Sequence, residues 1–195
     1  YILVNYDFPL KSLLSLFIEM PIVMPPVIAG LALLATFGRA AVFGPVLNWL
    51  GLTIPFTTSA VVLAQVFVSA PFYIRGAQSG FGAVNREIQE AAEVDGADRW
   101  RVFWQIIFPI SMNSLFAGMM LSWARALGEF GATILFAGNL TGTTQTMPLL
   151  IYSKLESDLA GAFLTALILL GLAFGAFALA RTANQKFGLF LDYND

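Results

Sequence analysis

Residues 159–180 read LAGAFLTALILLGLAFGAFALA, an apolar run with no charged side chain, bounded by Asp158 before it and Arg181 after it. About 20 such residues, rising about 1.5 Å each, cross the roughly 30 Å of hydrocarbon in a bilayer. In that medium a helix satisfies its own backbone, whereas an open strand does not. Outward from this run, three more apolar stretches extend from about Leu13 to Phe37, Ile54 to Ile74 and Asn113 to Phe136. None shows the alternation, over about ten residues, of an outer-membrane strand. The sequence therefore predicts an all-α, polytopic membrane bundle: one domain over residues 1–195 with four spans.

Composition agrees with a bilayer environment. Of the 195 residues 58% are hydrophobic and 11% charged, against about a quarter charged in soluble domains. The net charge of −2, with no basic arm, argues against nucleic acid as a partner. Cysteine and histidine are both absent, which removes thiolate and imidazole metal sites, Cys or His nucleophiles and a Ser-His-Asp triad. The chain starts at Tyr1 without a basic n-region, so no signal peptide is read there. The expectation is that N-terminal helices precede it in a longer protein.

Cytoplasmic loops collect Lys and Arg. Arg75, Arg86, Arg99 and Arg101 follow the second stretch, Lys11 precedes the first, and Arg181 and Lys186 follow the last, while the alternate connections hold Arg39 and Lys154. Both termini are expected on the cytoplasmic side of the cell membrane. Pro21, Pro25, Pro26, Pro71 and Pro109 mark kinks or helix ends. Ser114, Gly118, Ser122 and Ala126 share one helix face, and Gly171 and Gly175 form a GxxxG; both patterns read as packing signals.

Between the second and third stretches lies NREIQEAAEVDGADRWRVFWQIIFP, Asn85 to Pro109. Asn85 suits a helix N-cap, Glu87 its first turn and Gly96 the residue past its end. Ile88, Ala91, Ala92 and Val94 give this short helix an apolar side. Asp98 then caps a second helix bearing Trp100, Phe103, Trp104 and Ile107, expected to run along the membrane surface until Pro109. Glu90, Glu93 and Asp95 around the small Ala91 and Ala92 fit a groove lined with arginines, although an ordinary interfacial helix has the same composition.

Glu90-Ala91-Ala92, Gly96, Ile106 and Pro109, at this spacing, resemble the EAA loop of permease subunits in ATP-binding-cassette importers, with Phe108 where the family usually has Leu. The resemblance implies a coupling helix at about Glu87 to Asp95, with Glu87, Glu90, Ala91, Ala92, Glu93, Asp95 and Gly96 engaging a separate ATPase subunit. It further implies ATP and Mg²⁺ on that partner, no cofactor on this chain, a second permease copy and a binding protein outside the cell or in the periplasm. The chain has no GxxxxGK[ST] phosphate loop, so it is not expected to be an enzyme itself.

A second resemblance rests on WARALGEFGATILFAGNLTGTTQTMPLLIYSKL, Trp123 to Leu155, together with PIVMPPVIAGLALLATFG from Pro21 to Gly38. Both are similar to the permeases for molybdate, tungstate and sulfate. Phe130, Ala132-Thr133, Thr146 to Leu149 and Ile151-Tyr152 lean toward the molybdate and tungstate branch. A sulfate or thiosulfate importer is the alternative, with a passive anion channel behind it.

Arg125 and Glu129 sit within the third stretch, where each charge costs about 2.5 to 3.5 kcal/mol on insertion scales. Their i, i+4 spacing lets them neutralise each other on one face, which is the plainer reading. The functional one has Arg125 adding positive potential to an anion pathway that Glu129 moderates. In the loop from Gly138 to Thr146, Asn139, Thr143 and Gln145 are candidate contacts for the binding protein, and a plain solvated loop accounts for them equally. An intramembrane enzyme built on Glu19, Arg125 and Glu129 is the rival from another class. It fails because those residues assemble no acid/base pair, ligand set or nucleophile.

Overall fold

The computed structural model describes residues 1–186, and the stretch 187–195, assigned above to the cytoplasmic side, lies outside them. In chain order the helices are α1 (Ile2–Asn5), α2 (Lys11–Val23), α3 (Pro26–Phe37), α4 (Gly44–Trp49), α5 (Thr58–Gly82), α6 (Arg86–Val94), α7 (Arg99–Val102), α8 (Phe108–Leu127), α9 (Gly131–Phe136), α10 (Met147–Lys154) and α11 (Leu159–Lys186), with a π-turn at Phe103–Ile107 joining α7 to α8. No strand occurs among the described residues. The all-α expectation holds.

Among the described residues three helices are long and apolar enough to cross a membrane: Thr58–Gly82, Arg99–Leu127 and Leu159–Thr182. The expected first span, Leu13 to Phe37, is not one helix. Its two halves separate where Pro25 takes an extended conformation (φ −53°, ψ 133°). A proline disfavours the helical conformation in the residue before it, and Pro26 is itself suited to the first position of α3.

The other prolines behave differently. Pro21 and Pro71 lie inside α2 and α5 without ending them. Pro109 does not end a surface helix either, since α7, the π-turn and α8 run on continuously. The Phe108 N–H donates to the Phe103 carbonyl, an i→i−5 bond. Such a widened turn makes room for a ring that lacks an N–H and would strike the carbonyl a regular turn earlier.

The expected third span, Asn113 to Phe136, is also corrected: α8 stops at Leu127 and α9 begins at Gly131. Gly128 is a poor helix former, and the Glu129 carboxylate accepts from the Ala132 N–H at 2.7 Å, starting a new helix instead of continuing the old one.

The chain divides into two compact units. One comprises Glu19–Ala70 and Trp123–Ala176. Its core joins Ala29 and Leu33 of α3, Ala60, Val61, Ala64 and Val68 of α5, and Ala132 and Phe136 of α9. Here α3 and α9 meet backbone to backbone. A Cβ on Gly30 would lie 2.7 Å from the Ala132 carbonyl oxygen, and one on Gly131 would lie 2.9 Å from the Pro26 Cβ.

The other unit comprises Tyr1–Ile18, Pro71–Ser122 and, among the described residues, the end of α11 from Phe177. Its core holds Phe81, Val84, Val102, Ile107 and Leu115, with Tyr1, Phe103 and Phe108 against them. Ser114 and Gly118 of the small-residue face pack on α5: a Cβ at Gly76 would stand 2.6 Å from the Gly118 Cα, and one at Gly80 would stand 2.7 Å from the Ser114 Cβ. Gly171 and Gly175 differ, because nothing lies within 4 Å of a Cβ placed on either. Their GxxxG has no partner among the described residues.

Candidate functional site

In the first candidate region, α6 starts where the sequence places it. The Asn85 side chain accepts from the Glu87 N–H at 2.9 Å, removing one of the orphan donors of the first turn. Gly96 (φ 89°) closes the helix in the left-handed region that glycine adopts without a Cβ clash. The Asp98 carboxylate then accepts from the Arg101 N–H at 2.8 Å, capping α7. The helix, turn and helix between Asn85 and Val102 are thus as expected.

The apolar side of α6 is divided between its own unit and solvent. Ala92 packs on the core beside Ala97, and α6 has no fully buried residue. Ile88 is 47% and Val94 87% exposed, and Ala91 is exposed as well. The stripe Ile88, Ala91, Val94 therefore points outward. Glu87, Glu90, Glu93 and Asp95 are exposed around it, with Arg86 3.7 Å from Glu90 in a loose surface pair. Behind α6, a cavity of about 310 Å³ is lined by Asn5, Arg86, Gln89, Glu93 and Arg99 among others.

The second region belongs to the other unit. Arg125 Nη1 lies 2.7 Å from Glu129 Oε2, so the i, i+4 pair forms across the end of α8. Glu129 is 1% exposed and its other oxygen takes the Ala132 N–H, while Arg125 keeps 27% of its side chain accessible. Glu129 is thereby fixed by two donors and Arg125 alone retains an open side. One turn beyond, the buried Thr133 Oγ1 has no hydrogen-bond partner among the described residues.

Loop 138–146 is held both by its neighbours and from within. Asn139 Nδ2 donates to Ser153 Oγ at 2.7 Å, the Thr143 carbonyl accepts from Thr58 Oγ1 at 3.1 Å, and the Gln145 N–H reaches the Leu140 carbonyl at 3.1 Å. Of the three proposed contact residues only Thr143 is exposed. The lock of this loop is Thr144, which the sequence reading did not single out. It is 2% exposed and accepts from the Leu140 N–H at 2.9 Å. Phe130 and Tyr152, two of the residues that lean toward one branch, touch at a ring separation of 5.2 Å.

A model of the family described as binding-protein-dependent transport system inner membrane component matches residues 2–188. The chain belongs to that permease family. This permease is 40% identical to the "Probable transport system permease protein NifC" of Clostridium pasteurianum, over 88% of its own length and 60% of that protein's. It is 35% identical to the molybdenum transport system permease protein ModB of Escherichia coli K12, over 96% of the chain and 85% of the relative. To the "Probable sulfate transport system permease protein cysT" of Zygnema circumcarinatum it is 35% identical, over 89% and 61%. Relatives named for molybdenum reach 41% identity, and those named for sulfate reach 36%. The permease also superposes on a crystal structure of a bacterial transporter involved in alginate import with a TM-score of 0.65, at 18% identity, over 93% of this chain and 70% of that one. That likeness concerns the fold. With its apolar helices and its family, the chain is a multi-pass membrane protein.

Proposed function

We propose that this permease is the membrane-spanning subunit of an ATP-driven importer of molybdate or tungstate, working by alternating access. The observation that carries the reading is the outward apolar stripe of α6 within a ring of carboxylates. An apolar stripe left in water on a helix this short is disfavoured unless something covers it. A cleft in an ATPase subunit with arginines at its rim matches both its parts. In this reading Glu87, Glu90, Ala91, Ala92, Glu93, Asp95 and Gly96 form the coupling helix and its end. ATP and Mg²⁺ reside on the partner, whose closure moves α6 as a rigid body.

The remaining roles follow from the same reading. Two permease copies enclose one pathway, the α2–α3 pair broken at Pro25 makes a fourth crossing, and both termini lie on the cytoplasmic side, where the arginines around α6 also lie. A binding protein delivers the oxyanion on the opposite side, with Thr143 the foremost contact and Asn139 and Gln145 shaping the loop behind it. Arg125 lends positive potential to the pathway while Glu129 prevents the anion from being trapped. Relatives named for molybdenum at 41% and 39% identity, above the 36% of a relative named for sulfate, favour that cargo. Sulfate is the second reading, supported by the relatives named for it.

Because the chain contains no cysteine, a single Cys at Ala91 gives a clean test. Cross-linking from that position to the cognate ATPase, with Thr143→Cys unreactive toward it, is the expected result. A cross-link from neither position, in a complex that hydrolyses ATP, overturns the coupling role of α6.

A further inference from the structure

No charged residue stands between Arg39 and Arg75, and the part of that stretch ahead of α5 folds as α4 with its flanking loops. α4 is fixed against the end of α3. Phe43 stacks on Phe37 at a ring separation of 5.8 Å, and the Asn48 amide donates to the Arg39 carbonyl at 3.5 Å. A Cβ on Gly44 would strike that same carbonyl oxygen. Leu47 turns inward, lining a small cavity with Phe37, Gly38 and Ile54 among others. The outward side is apolar as well. Val46, Trp49 and Leu50 share it at helical spacing, with Val42 one turn earlier, and all four are exposed, Trp49 to 85%.

Four large apolar side chains on one surface mark a contact, and the charges around them say of what kind. The stripe on α6 is ringed by Glu87, Glu90, Glu93 and Asp95, and a polar rim around an apolar centre is the pattern of protein interfaces. Residues 38–57 hold no carboxylate and a single cation, Arg39. A layer covering α4 therefore needs to offer few charges in return, which the boundary between hydrocarbon and headgroups satisfies. Indoles settle at that depth, their rings against acyl chains and their N–H toward water. Ile54 carries the same surface onto a membrane span. It heads an open groove of about 460 Å³ whose other walls are Thr58, Ser59, Val62, Leu63 and Val66 of α5, where Val62 and Val66 are themselves exposed. The uncharged surface of α4 thus continues into an outward apolar face of the Thr58–Gly82 helix.

We propose that α4 lies in the headgroup layer of the bilayer at the Thr58 end of α5, with Val46, Trp49 and Leu50 seated on lipid and Trp49 fixing its depth. The inference rests on α5 crossing the membrane. It does not depend on the identity of the cargo or on what covers α6.

The test uses the full-length permease, with Phe in place of every tryptophan except Trp49, in nanodiscs of phosphatidylcholine. Part of the lipid is brominated either near the glycerol end or near the methyl end of its acyl chains. Quenching of the indole by each is compared with quenching by acrylamide in the water. Quenching several-fold greater from the bromines near glycerol than from the distal ones is expected, with little from acrylamide. The same preference is expected when the single indole is moved along the stripe in W49F/V46W. Strong acrylamide quenching without lipid quenching places α4 in water and overturns the proposal, and quenching as strong from the distal bromines overturns it by placing the helix in the hydrocarbon. Protection from lipid and acrylamide alike assigns the surface to a second copy and overturns it, as does lipid quenching that disappears when the cognate binding protein is added.

Discussion

Glu129 illustrates how much a single carboxylate can carry. It is 1% exposed, binds the Arg125 guanidinium and supplies the first cap of α9. Glu129→Ala strands a partly buried cation and an N–H together, so a loss of about 3 to 5 kcal/mol is expected, read as a lower Tm of the purified permease in detergent. R125Q/E129Q leaves no stranded charge and should unfold at a higher temperature than Glu129→Ala. The reverse order contradicts the pair as described. Asp158 has a smaller task, capping α11 by accepting from the Gly161 N–H at 2.8 Å. That bond, and then Lys154, hold its carboxyl below the ordinary 3.8. A lowered carboxylate stabilises the fold above its unfolded pKa, and the contribution fades as pH falls through the lowered value. The first turn of α11 should therefore stay ordered in wild type from neutrality to about pH 4, and should fray at neutral pH in Asp158→Ala, as read by amide protection at Gly161. The caps of Asn85 and Asp98 were legible in the sequence because a cap requires only its own side chain and an amide two or three positions on. The lock formed by Thr144 was not, since its partner is fixed only once the loop has closed.

Among the elements, the glycine crossings separate structural positions from open ones. Gly30→Val should prevent recovery of monodisperse permease, because its Cβ would meet the Ala132 backbone rather than a side chain able to move aside. Gly171→Ala should leave the yield and elution of the chain unchanged, since open space surrounds that position. Size-exclusion profiles of the two variants check both outcomes. Hydropathy located every apolar stretch but misjudged its continuity. The same three signals, Pro25-Pro26, Pro109 and Gly128-Glu129, end a helix in two cases and are absorbed by a π-turn in the third. What decides is whether the surroundings can satisfy the freed backbone groups, which a linear pattern does not record. For α6 the periodicity told which residues share a side, and the structure shows that, apart from Ala92, this side faces away from the unit. An outward side of this kind is what the proposed coupling partner would cover.

At the level of the whole molecule, the proposed function makes the chain one moving part of a machine whose fuel is spent elsewhere. Glu90→Arg places a cation where a carboxylate meets the proposed arginine-rimmed cleft, so uptake should fall at least tenfold, a change of about 1.4 kcal/mol in coupling, with membrane insertion unchanged. Protease protection and transport assayed on the same vesicles distinguish this from misfolding. The most direct measurement is uptake of labelled molybdate, tungstate and sulfate into vesicles holding the full-length permease, its ATPase and its binding protein, with and without ATP. The account predicts uptake that requires ATP and prefers molybdate or tungstate over sulfate; oxyanion flux of equal size without ATP would contradict it and leave a passive channel in its place.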